Sequence, residues 1–329
     1  MKNENSKILL SKLPETLNQR SGAFLCCASF EKRSLSIPNA IKELPLQKVV
    51  IFATEDCNPE IYKTALEIQS FMGDRASIVT TRMREPLFTA NALAKVIREI
   101  IKEEIKEIII DISTFTHEML LILLMLISRS RENISLVTCI YTGARDYSVG
   151  DPKERKWLSK GCRDVRSVVG YPGQLLPSRP TCLIVLVGFE HERATRMIAE
   201  MEPELLLLGK GMPSDQHLTY ESHKAPMEYF HKLVEDMVSS REEDHSFEFS
   251  CRDIKETVDS LQTQIKKTSE FNHIIVPLNT KISTVAVALT ALKDIKLQVC
   301  YAEPETYNFE SYSEPDDMVT IFDFDLSIF

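Results

Sequence analysis

The sequence predicts an α/β protein built from two tandem lobes, each a mainly parallel sheet with helices on both faces. Three observations support this prediction. Short apolar runs alternate with longer amphipathic ones, the short runs are apolar at consecutive positions, and the whole pattern occurs twice. A strand that is apolar at every position is covered on both faces, which is typical of a parallel sheet. We therefore interpret the chain as an internal duplication.

The two copies match in the order of their polar positions. Each copy opens with an apolar strand that runs into Phe-Glu and is followed closely by an Arg. The matching residues are Glu31 and Arg33 in copy one (23–147), and Glu190 and Arg193 in copy two (182–307). Each copy closes on a strand with two tyrosines at the same offset, Tyr141 and Tyr147 or Tyr301 and Tyr307. Repetition at this spacing supports the duplication.

Strands and helices alternate along both copies, as in Rossmann-like lobes. The predicted strands lie at about 23–29, 48–53, 76–81, 107–112 and 134–141, and again at about 182–188, 204–208, 246–250, 272–277 and 296–301. The predicted helices lie at about 34–43, 59–72, 87–105 and 115–129, and again at about 192–200, 225–240, 253–268 and 281–293.

The predicted organisation has four parts. They are an N-terminal extension (1–22), lobe 1 (23–148), a basic linker (149–181) and lobe 2 (182–329). The extension is polar with a short amphipathic helix, and the tail at 319–324 reads as one more strand at a sheet edge. The linker carries an excess of base: Lys153, Arg155, Lys156, Lys160, Arg163 and Arg166 against Asp151, Glu154 and Asp164. It is either a solvated linker with one short helix or a basic arm that closes over an anionic ligand or a partner.

Composition restricts the partners and the compartment. The formal net charge is −9, so the surface repels a phosphate backbone and we do not expect extended nucleic acid as a partner. Several of the eight cysteines lie inside apolar strand runs, which favours a reducing compartment. The longest apolar run, 119–127, is shorter than the roughly 20 residues that cross a bilayer. We expect a cytoplasmic protein without a membrane partner.

Ligands of open parallel sheets bind at the carboxyl ends of the strands, and the repeated polar residues follow predicted strands at that edge. For Glu31 with Arg33 and for Glu190 with Arg193 two interpretations stay open. The pair is either a structural ion pair that holds the loop on the next helix, or a ligand site. In the second case the arginine grips a phosphate or carboxylate, and the glutamate binds a ribose hydroxyl or serves as acid or base.

A second set of polar residues follows the fourth strand of each copy. The candidates are Asp111, Ser113 and Thr114 in copy one, and Asn279, Thr280 and Lys281 in copy two. The hydroxyl residues are either helix N-caps or ligand contacts. Lys281 favours a ligand, because the helix macrodipole disfavours a cation at the N-terminus unless an anion is near.

Two further groups complete the candidate site. Gly209, Lys210 and Gly211 follow the predicted strand 205–208, where glycines would let backbone N–H groups approach an anion that the lysine neutralises. This makes lobe 2 the better phosphate site. Tyr141, Tyr301 and Tyr307 either stack on a base or are core aromatics. One lobe binds and the other supports it, or each contributes half of a pocket.

Missing motifs narrow the chemistry. No Gly-x-Gly-x-x-Gly follows a first strand, and no Walker A loop is present, so an ordinary dinucleotide dehydrogenase or P-loop enzyme is not expected. Cysteine and histidine spacings typical of zinc sites are also missing, so we expect no metal. No cofactor is indicated. Cys251 is a candidate nucleophile at the end of the third strand of copy two.

At the level of fold, two such lobes with an apolar strand that runs into a polar threonine loop, as in 276–281, resemble the CARF and SAVED domains of prokaryotic defence systems. Members of those families bind cyclic or linear oligonucleotide signals between two lobes. The resemblance covers both repeats in outline and carries no diagnostic motif, and fold alone does not fix function. It implies a nucleotide sensor in antiviral defence that works with a separately encoded effector protein.

Two functions from different classes follow. The first is a sensor or regulatory protein that binds a nucleotide or another anionic small molecule. The second is an enzyme, a hydrolase or transferase, that acts on a nucleoside, nucleotide or sugar phosphate. In the enzyme, Glu31 or Glu190 would be the acid, base or nucleophile. Arg193, Lys210 and Lys281 would hold the phosphate.

Overall fold

The chain folds into two compact units. The computed structural model describes residues 6–149, 156–212, 221–238, 245–324 and 326. Unit 1 comprises Met1–Arg145 together with Ser313–Phe329, and unit 2 comprises Asp146–Tyr312.

Fifteen strands and nine α-helices are present in the part of the chain that the structure describes. The strands are β1 (Ser6–Leu9), β2 (Ala23–Cys27), β3 (Lys48–Thr54), β4 (Ala76–Thr81), β5 (Glu107–Asp111), β6 (Leu136–Tyr147), β7 (Ser159–Lys160), β8 (Asp164–Pro172), β9 (Thr181–Val187), β10 (Leu205–Met212), β11 (His245–Ser250), β12 (Asn272–Pro277), β13 (Gln298–Glu303), β14 (Thr306–Tyr307) and β15 (Ser313–Asp323). The helices are α1 (Leu13–Thr16), α2 (Ser36–Ile41), α3 (Glu60–Met72), α4 (Pro86–Lys102), α5 (His117–Arg129), α6 (His191–Met201), α7 (Glu221–Val238), α8 (Ile254–Lys267) and α9 (Lys281–Lys293).

Each unit is built on one mainly parallel sheet. The unit 1 sheet has seven strands in the order β1-β15-β6-β5-β2-β3-β4, and the unit 2 sheet has six in the order β11-β10-β9-β12-β13-β8. The pairs among β2 to β6 and among β9 to β13 are parallel. Five strands of each sheet thus share the order third, second, first, fourth, fifth. The predicted fold class is confirmed.

This strand order places a topological switch point between the first and fourth strands of each sheet. It lies between β2 and β5 in unit 1, and between β9 and β12 in unit 2. The chain leaves these two strands toward opposite sides, so their loops diverge at the carboxyl end, where open α/β sheets bind ligands.

One strand of each sheet comes from outside the sequence copy on which that sheet is built. β8 follows the first copy but pairs antiparallel with β13 in the unit 2 sheet. β15 follows the second copy but lies in the unit 1 sheet between β6 and β1, and pairs antiparallel with β1. The tail forms the predicted strand, but it lies inside the sheet and not at the predicted edge, because β1 pairs with it on its outer side. A local pattern carries no information about such a distant pairing.

This arrangement changes the division of the chain from the one that the sequence predicts. The segment 149–181 contributes β7 and β8 to unit 2, and the tail after Tyr312 belongs to unit 1. The N-terminal extension forms β1 before the short helix α1, because β15 offers it a pairing partner. Of the basic residues in 149–181, Lys153 and Arg155 lie outside the described residues.

The helix after each fourth strand is buried on nearly every side. In α5 eleven of thirteen residues are buried, and in α9 ten of thirteen are. A helix that is apolar all round must lie inside a core rather than on a surface. No helix in the described ranges combines the length and the apolar character needed to cross a lipid bilayer.

β15 carries core side chains of unit 1, so its contribution to stability is measurable. Val319 is fully buried, and Val319→Ala should lower the free energy of unfolding by about 1–3 kcal/mol because it leaves a cavity. Asp317→Ala on the same strand is the control. It removes only an exposed ion pair with Arg145 and should cost less than about 1 kcal/mol. Urea unfolding followed by circular dichroism compares the two, and equal losses would contradict the buried position of β15.

Candidate functional site

A buried glutamate–arginine pair follows the first strand of each sheet. In unit 1, Arg33 Nε donates to Glu31 Oε2 at 2.6 Å and Nη2 donates to Oε1 at 3.3 Å. In unit 2, Arg193 Nη1 donates to Glu190 Oε2. All four side chains are at least 90% buried. We call each pair, with the contacts described next, a Glu–Arg clamp.

Each clamp ties the loop after the first strand to the end of the fifth strand. Arg33 Nη1 donates to the carbonyl of Thr142 at 3.3 Å, and Arg193 Nε donates to the carbonyl of Ala302 at 2.6 Å. The acceptor lies 109 residues after the arginine in both units. The structural ion pair is therefore the arrangement that both loops adopt, and the equal spacing supports the duplication.

A serine from outside the two sequence copies completes each clamp. Ser313 Oγ, at the start of β15, donates to Glu31 Oε2 at 2.7 Å, and Ser159 Oγ, in β7, donates to Glu190 Oε1 at 2.6 Å. Both oxygens of each carboxylate consequently have donors within the protein. This arrangement suits a structural role better than acid–base chemistry.

The arginine of the unit 2 clamp is nevertheless not fully satisfied. Arg193 Nη2 has no hydrogen-bond partner among the described residues, although the side chain is only 2% exposed. Its guanidinium carbon lies 5.2 Å from the ring centroid of Tyr301, a cation–π distance. Burial is the largest single effect on the pKa of Arg193 and lowers it, but Glu190 together with Tyr301, Tyr307 and Tyr312 raises it by more, so the group stays charged.

The predicted residues after the fourth strand of unit 1 hold strand ends together. Asp111 Oδ1 accepts from the backbone N–H of Ser113 at 3.0 Å, and Ser113 Oγ accepts from the N–H of Thr142 at 2.9 Å. Thr114 Oγ1 donates to the carbonyl of Cys27 at 2.6 Å. The N-cap of α5 is Thr116, two residues beyond the predicted Thr114.

Asp111 is a buried carboxyl group with one unsatisfied oxygen. Its Oδ2 and the Oγ1 of Thr142 are both buried without hydrogen-bond partners in the described part of the chain. Burial raises the pKa of Asp111 to about 6, which outweighs the opposing effect of the hydrogen bonds from Ser113. The protonated carboxyl is thus favoured well above the ordinary pH range for an aspartate.

The equivalent residues of unit 2 make a similar set of bonds. Thr280 is the N-cap of α9, accepting from the N–H of Ser283 at 3.2 Å, and its hydroxyl donates to the carbonyl of Cys251 at 2.8 Å. Asn279 Nδ2 donates to the carbonyl of Val187 at 2.7 Å. The predicted capping role is the one that Thr280 adopts.

Glycines allow the loops at the unit 2 switch point to touch. A β-carbon on Gly188 would lie 2.0 Å from the carbonyl oxygen of Leu278. A β-carbon on Gly211 would lie 2.5 Å from Cys251 Sγ and 2.9 Å from Asn279 Nδ2. The ends of β9, β10, β11 and β12 therefore converge here.

Gly209, Lys210 and Gly211 lie within β10 and not in a loop after it. All three pair with β11, and Gly209 and Lys210 also pair with β9. Their backbone groups therefore belong to a sheet ladder, so a phosphate-binding glycine loop is not formed. The side chains of Leu186, Phe247 and Phe249 fill the space that a side chain at position 209 would need. Lys210 Nζ lies 3.7 Å from Glu228 Oε1 and the side chain is half-exposed.

Basic and aromatic side chains surround the same edge. Lys281 occupies the first position of α9, whose first turn has no acidic residue. His191, the first residue of α6, stacks on Phe230 with ring centroids 5.4 Å apart and an interplanar angle of 15°. Burial lowers the pKa of His191, so its ring is neutral near pH 7. The sequence does not identify Phe230 as part of this edge, because Phe230 lies within α7 and does not follow a strand in the sequence.

The tyrosines divide into buried and half-buried members. Tyr141 and Tyr301 are buried beside the carbonyls that the clamps bind, so their place is in the core. Tyr307 is half-buried and its ring centroid lies 6.2 Å from that of Tyr312. Tyr147 packs against Phe189 at 5.2 Å.

The candidate nucleophile receives no geometric support. Cys251 is buried, and burial raises the pKa of its thiol to about 12, so the thiolate is disfavoured. Within the described ranges, no group of three or more His, Cys, Asp or Glu side chains is placed to bind a metal ion.

The raised pKa of Asp111 predicts a pH-dependent stability. Its stabilising contribution is fully present below about pH 3.8 and is lost as the pH rises through about 6, because the folded chain binds the proton more tightly. Asp111→Asn should remove this dependence and raise the free energy of unfolding at pH 7 by up to about 3 kcal/mol. Urea unfolding between pH 4 and 8 measures it. The exposed Asp74→Asn is the control, and identical profiles for both variants would refute the assignment.

The unit 2 clamp predicts a large loss when one partner is removed. Glu190→Ala leaves Arg193 buried without its counter-charge and should cost about 3–5 kcal/mol. Glu200→Ala removes an exposed ion pair with Arg196 on the same helix and should cost less than about 1 kcal/mol. Trp157, the only tryptophan, lies in unit 2 and its fluorescence follows the transition. A Glu190→Ala loss no larger than that of the control would argue against a structural clamp.

Comparison with known proteins assigns no family to this chain. No protein-family model matches it, and no curated protein matches its sequence.

Proposed function

We propose that this protein is a sensor or regulatory protein whose ligand is a nucleotide or a related phosphate-bearing anion. The proposed site lies at the carboxyl end of the unit 2 sheet. One observation carries the proposal: two lysines, Lys210 on β10 and Lys281 on α9, stand on either side of the first strand at the switch point. Open α/β sheets bind ligands at this position.

The chemistry of the edge suits a phosphate group. Lys281 is the first residue of α9, where the partial positive charge of the helix N-terminus adds to the charge of the lysine in attracting an anion. Lys210 is half-exposed, and its Nζ lies 3.7 Å from Glu228 Oε1. A phosphate at this edge would therefore meet two cationic side chains and the partial positive charge at the start of α9.

The aromatic side chains suit a base or another flat ring. His191 and Phe230 form a stacked pair beside the first-strand loop, and burial keeps the histidine uncharged. A neutral stacked pair can extend onto a nucleobase, because aromatic rings favour offset stacking. This combination of cation and ring favours a nucleotide over a simple inorganic anion.

The clamps favour a sensor over an enzyme. Glu31 and Glu190, the residues proposed as acid, base or nucleophile, each have both carboxylate oxygens bound by protein donors. Neither carboxylate is poised for proton transfer. By the resemblance to CARF and SAVED domains, a separately encoded effector protein and a role in antiviral defence are parts of the same proposal.

Ligand screening tests the proposal. Mononucleotides, cyclic oligonucleotides and sugar phosphates are added at increasing concentration while Trp157 fluorescence follows the thermal unfolding of unit 2. A ligand at about 100 times its dissociation constant should add roughly 2.7 kcal/mol to stability. The double variant Lys210→Ala/Lys281→Ala should lose most of this gain.

Lys63→Ala, an exposed lysine on α3 of unit 1, is the matched control and should keep the full gain. A stabilising nucleotide whose effect survives in the double variant would place the site elsewhere. If no phosphate-bearing compound stabilises the protein, the proposal fails.

A further inference from the structure

A second candidate binding site lies at the opposite end of the unit 2 sheet. A cavity of about 350 Å³ opens at the amino ends of β12 and β13, between the last turns of α8 and α9 and the loop at 174–179. This volume falls within the range of about 300–1,000 Å³ that is usual for small-molecule sites. None of the residues that the sequence predicts as ligand-binding lines this cavity.

One wall of the cavity is held in place by the side chains of Asn272 and Arg179. Asn272 Oδ1 accepts from the N–H of Leu176 at 2.8 Å, and its Nδ2 donates to the carbonyls of Leu176 at 2.8 Å and Arg179 at 2.9 Å. Arg179 Nη1 in turn donates to the carbonyl of Ser269 at 3.1 Å. The loop is therefore fixed to β12 and to the turn that follows α8, so a ligand would meet a preformed wall.

The lining combines apolar and cationic side chains. Its apolar members are Leu176, Ile265, Phe271 and Leu297. Its cations are Arg179, Lys266, Lys293 and Lys296. Asp294 is the one carboxylate among the lining residues, so the lining has a formal charge of +3 in a chain whose net charge is −9. Such a local reversal of sign attracts anions.

Helix ends explain only part of this charge. Lys266 and Lys293 lie in the last turns of α8 and α9, where the macrodipole favours lysine without any ligand. Arg179 and Lys296 lie outside helices and receive no such benefit. Asp294 Oδ1 accepts from the backbone N–H of Lys296 at 3.0 Å, so this carboxylate is used within its own turn.

We propose that this cavity binds a small organic anion with an apolar body. The carboxylate, sulfonate or phosphate group lies among Arg179, Lys293 and Lys296 at the rim. The apolar body covers Phe271 and Leu297 on the floor. The site is separate from the proposed nucleotide site and does not depend on it.

Three probes with the same chain and different heads test the charge preference. Octanoate, octanol and octylammonium are titrated into the full-length protein by isothermal calorimetry. Octanoate should bind with a stoichiometry of one, octanol should bind at least about tenfold more weakly, and octylammonium should not bind. Equal binding of all three, or no binding of octanoate at millimolar concentration, would overturn the proposal.

Charge reversal at the rim tests the location. Lys293→Glu and Lys296→Glu should each weaken octanoate binding by about three- to tenfold, since each replaces an attraction with a repulsion. Lys267→Glu on α8 is the matched control, because this exposed lysine lies next to Lys266 but outside the lining. It should change the affinity by less than about twofold. Octanoate affinities that respond equally to all three changes would mean that binding follows overall charge and not this cavity.

Discussion

A carboxylate and a guanidinium held out of water are the constraint on which each sheet depends. Removing two charges from water is costly, and only close geometry and additional hydrogen bonds offset that cost. Both units meet the requirement in the same way. The arginine binds the carbonyl at the end of the fifth strand, and a serine binds the glutamate. The loop after the first strand is thereby bound to the end of the fifth strand, with the fourth strand between them. This contact orders the carboxyl edge of the sheet.

The clamps also explain why the segments outside the two copies matter. Ser313 begins β15 and Ser159 lies in β7, so each clamp is completed by residues from beyond the copy that contains its glutamate. Neither repeat, cut from the chain at its sequence boundaries, would contain all the donors that its buried carboxylate needs. Each repeat is continuous in the sequence, but we do not expect it to fold independently.

The strands could be predicted from the sequence because a strand that is buried on both faces is apolar at consecutive positions. The run 274–276, apolar at every position, is a central strand of unit 2. The Gly209–Gly211 segment was predicted as a loop, since glycine usually marks a turn. Here Gly209 lies in a strand, where Leu186, Phe247 and Phe249 occupy the space that a side chain would fill. The sizes of such neighbours are not visible in a local pattern. The basic cavity was missed for a similar reason, because its lining comes from segments that are distant in the chain.

The position of β15 has a consequence for biosynthesis. A ribosome releases the chain from its N-terminus, so the first five parallel strands of unit 1 emerge long before residues 313–323 are made. During that interval β6 presents an open edge with unpaired backbone groups, the kind of surface that invites contact with other nascent chains. Translation of residues 313–323 closes that edge, so a ribosome stalled before them would hold an incomplete sheet in need of a chaperone.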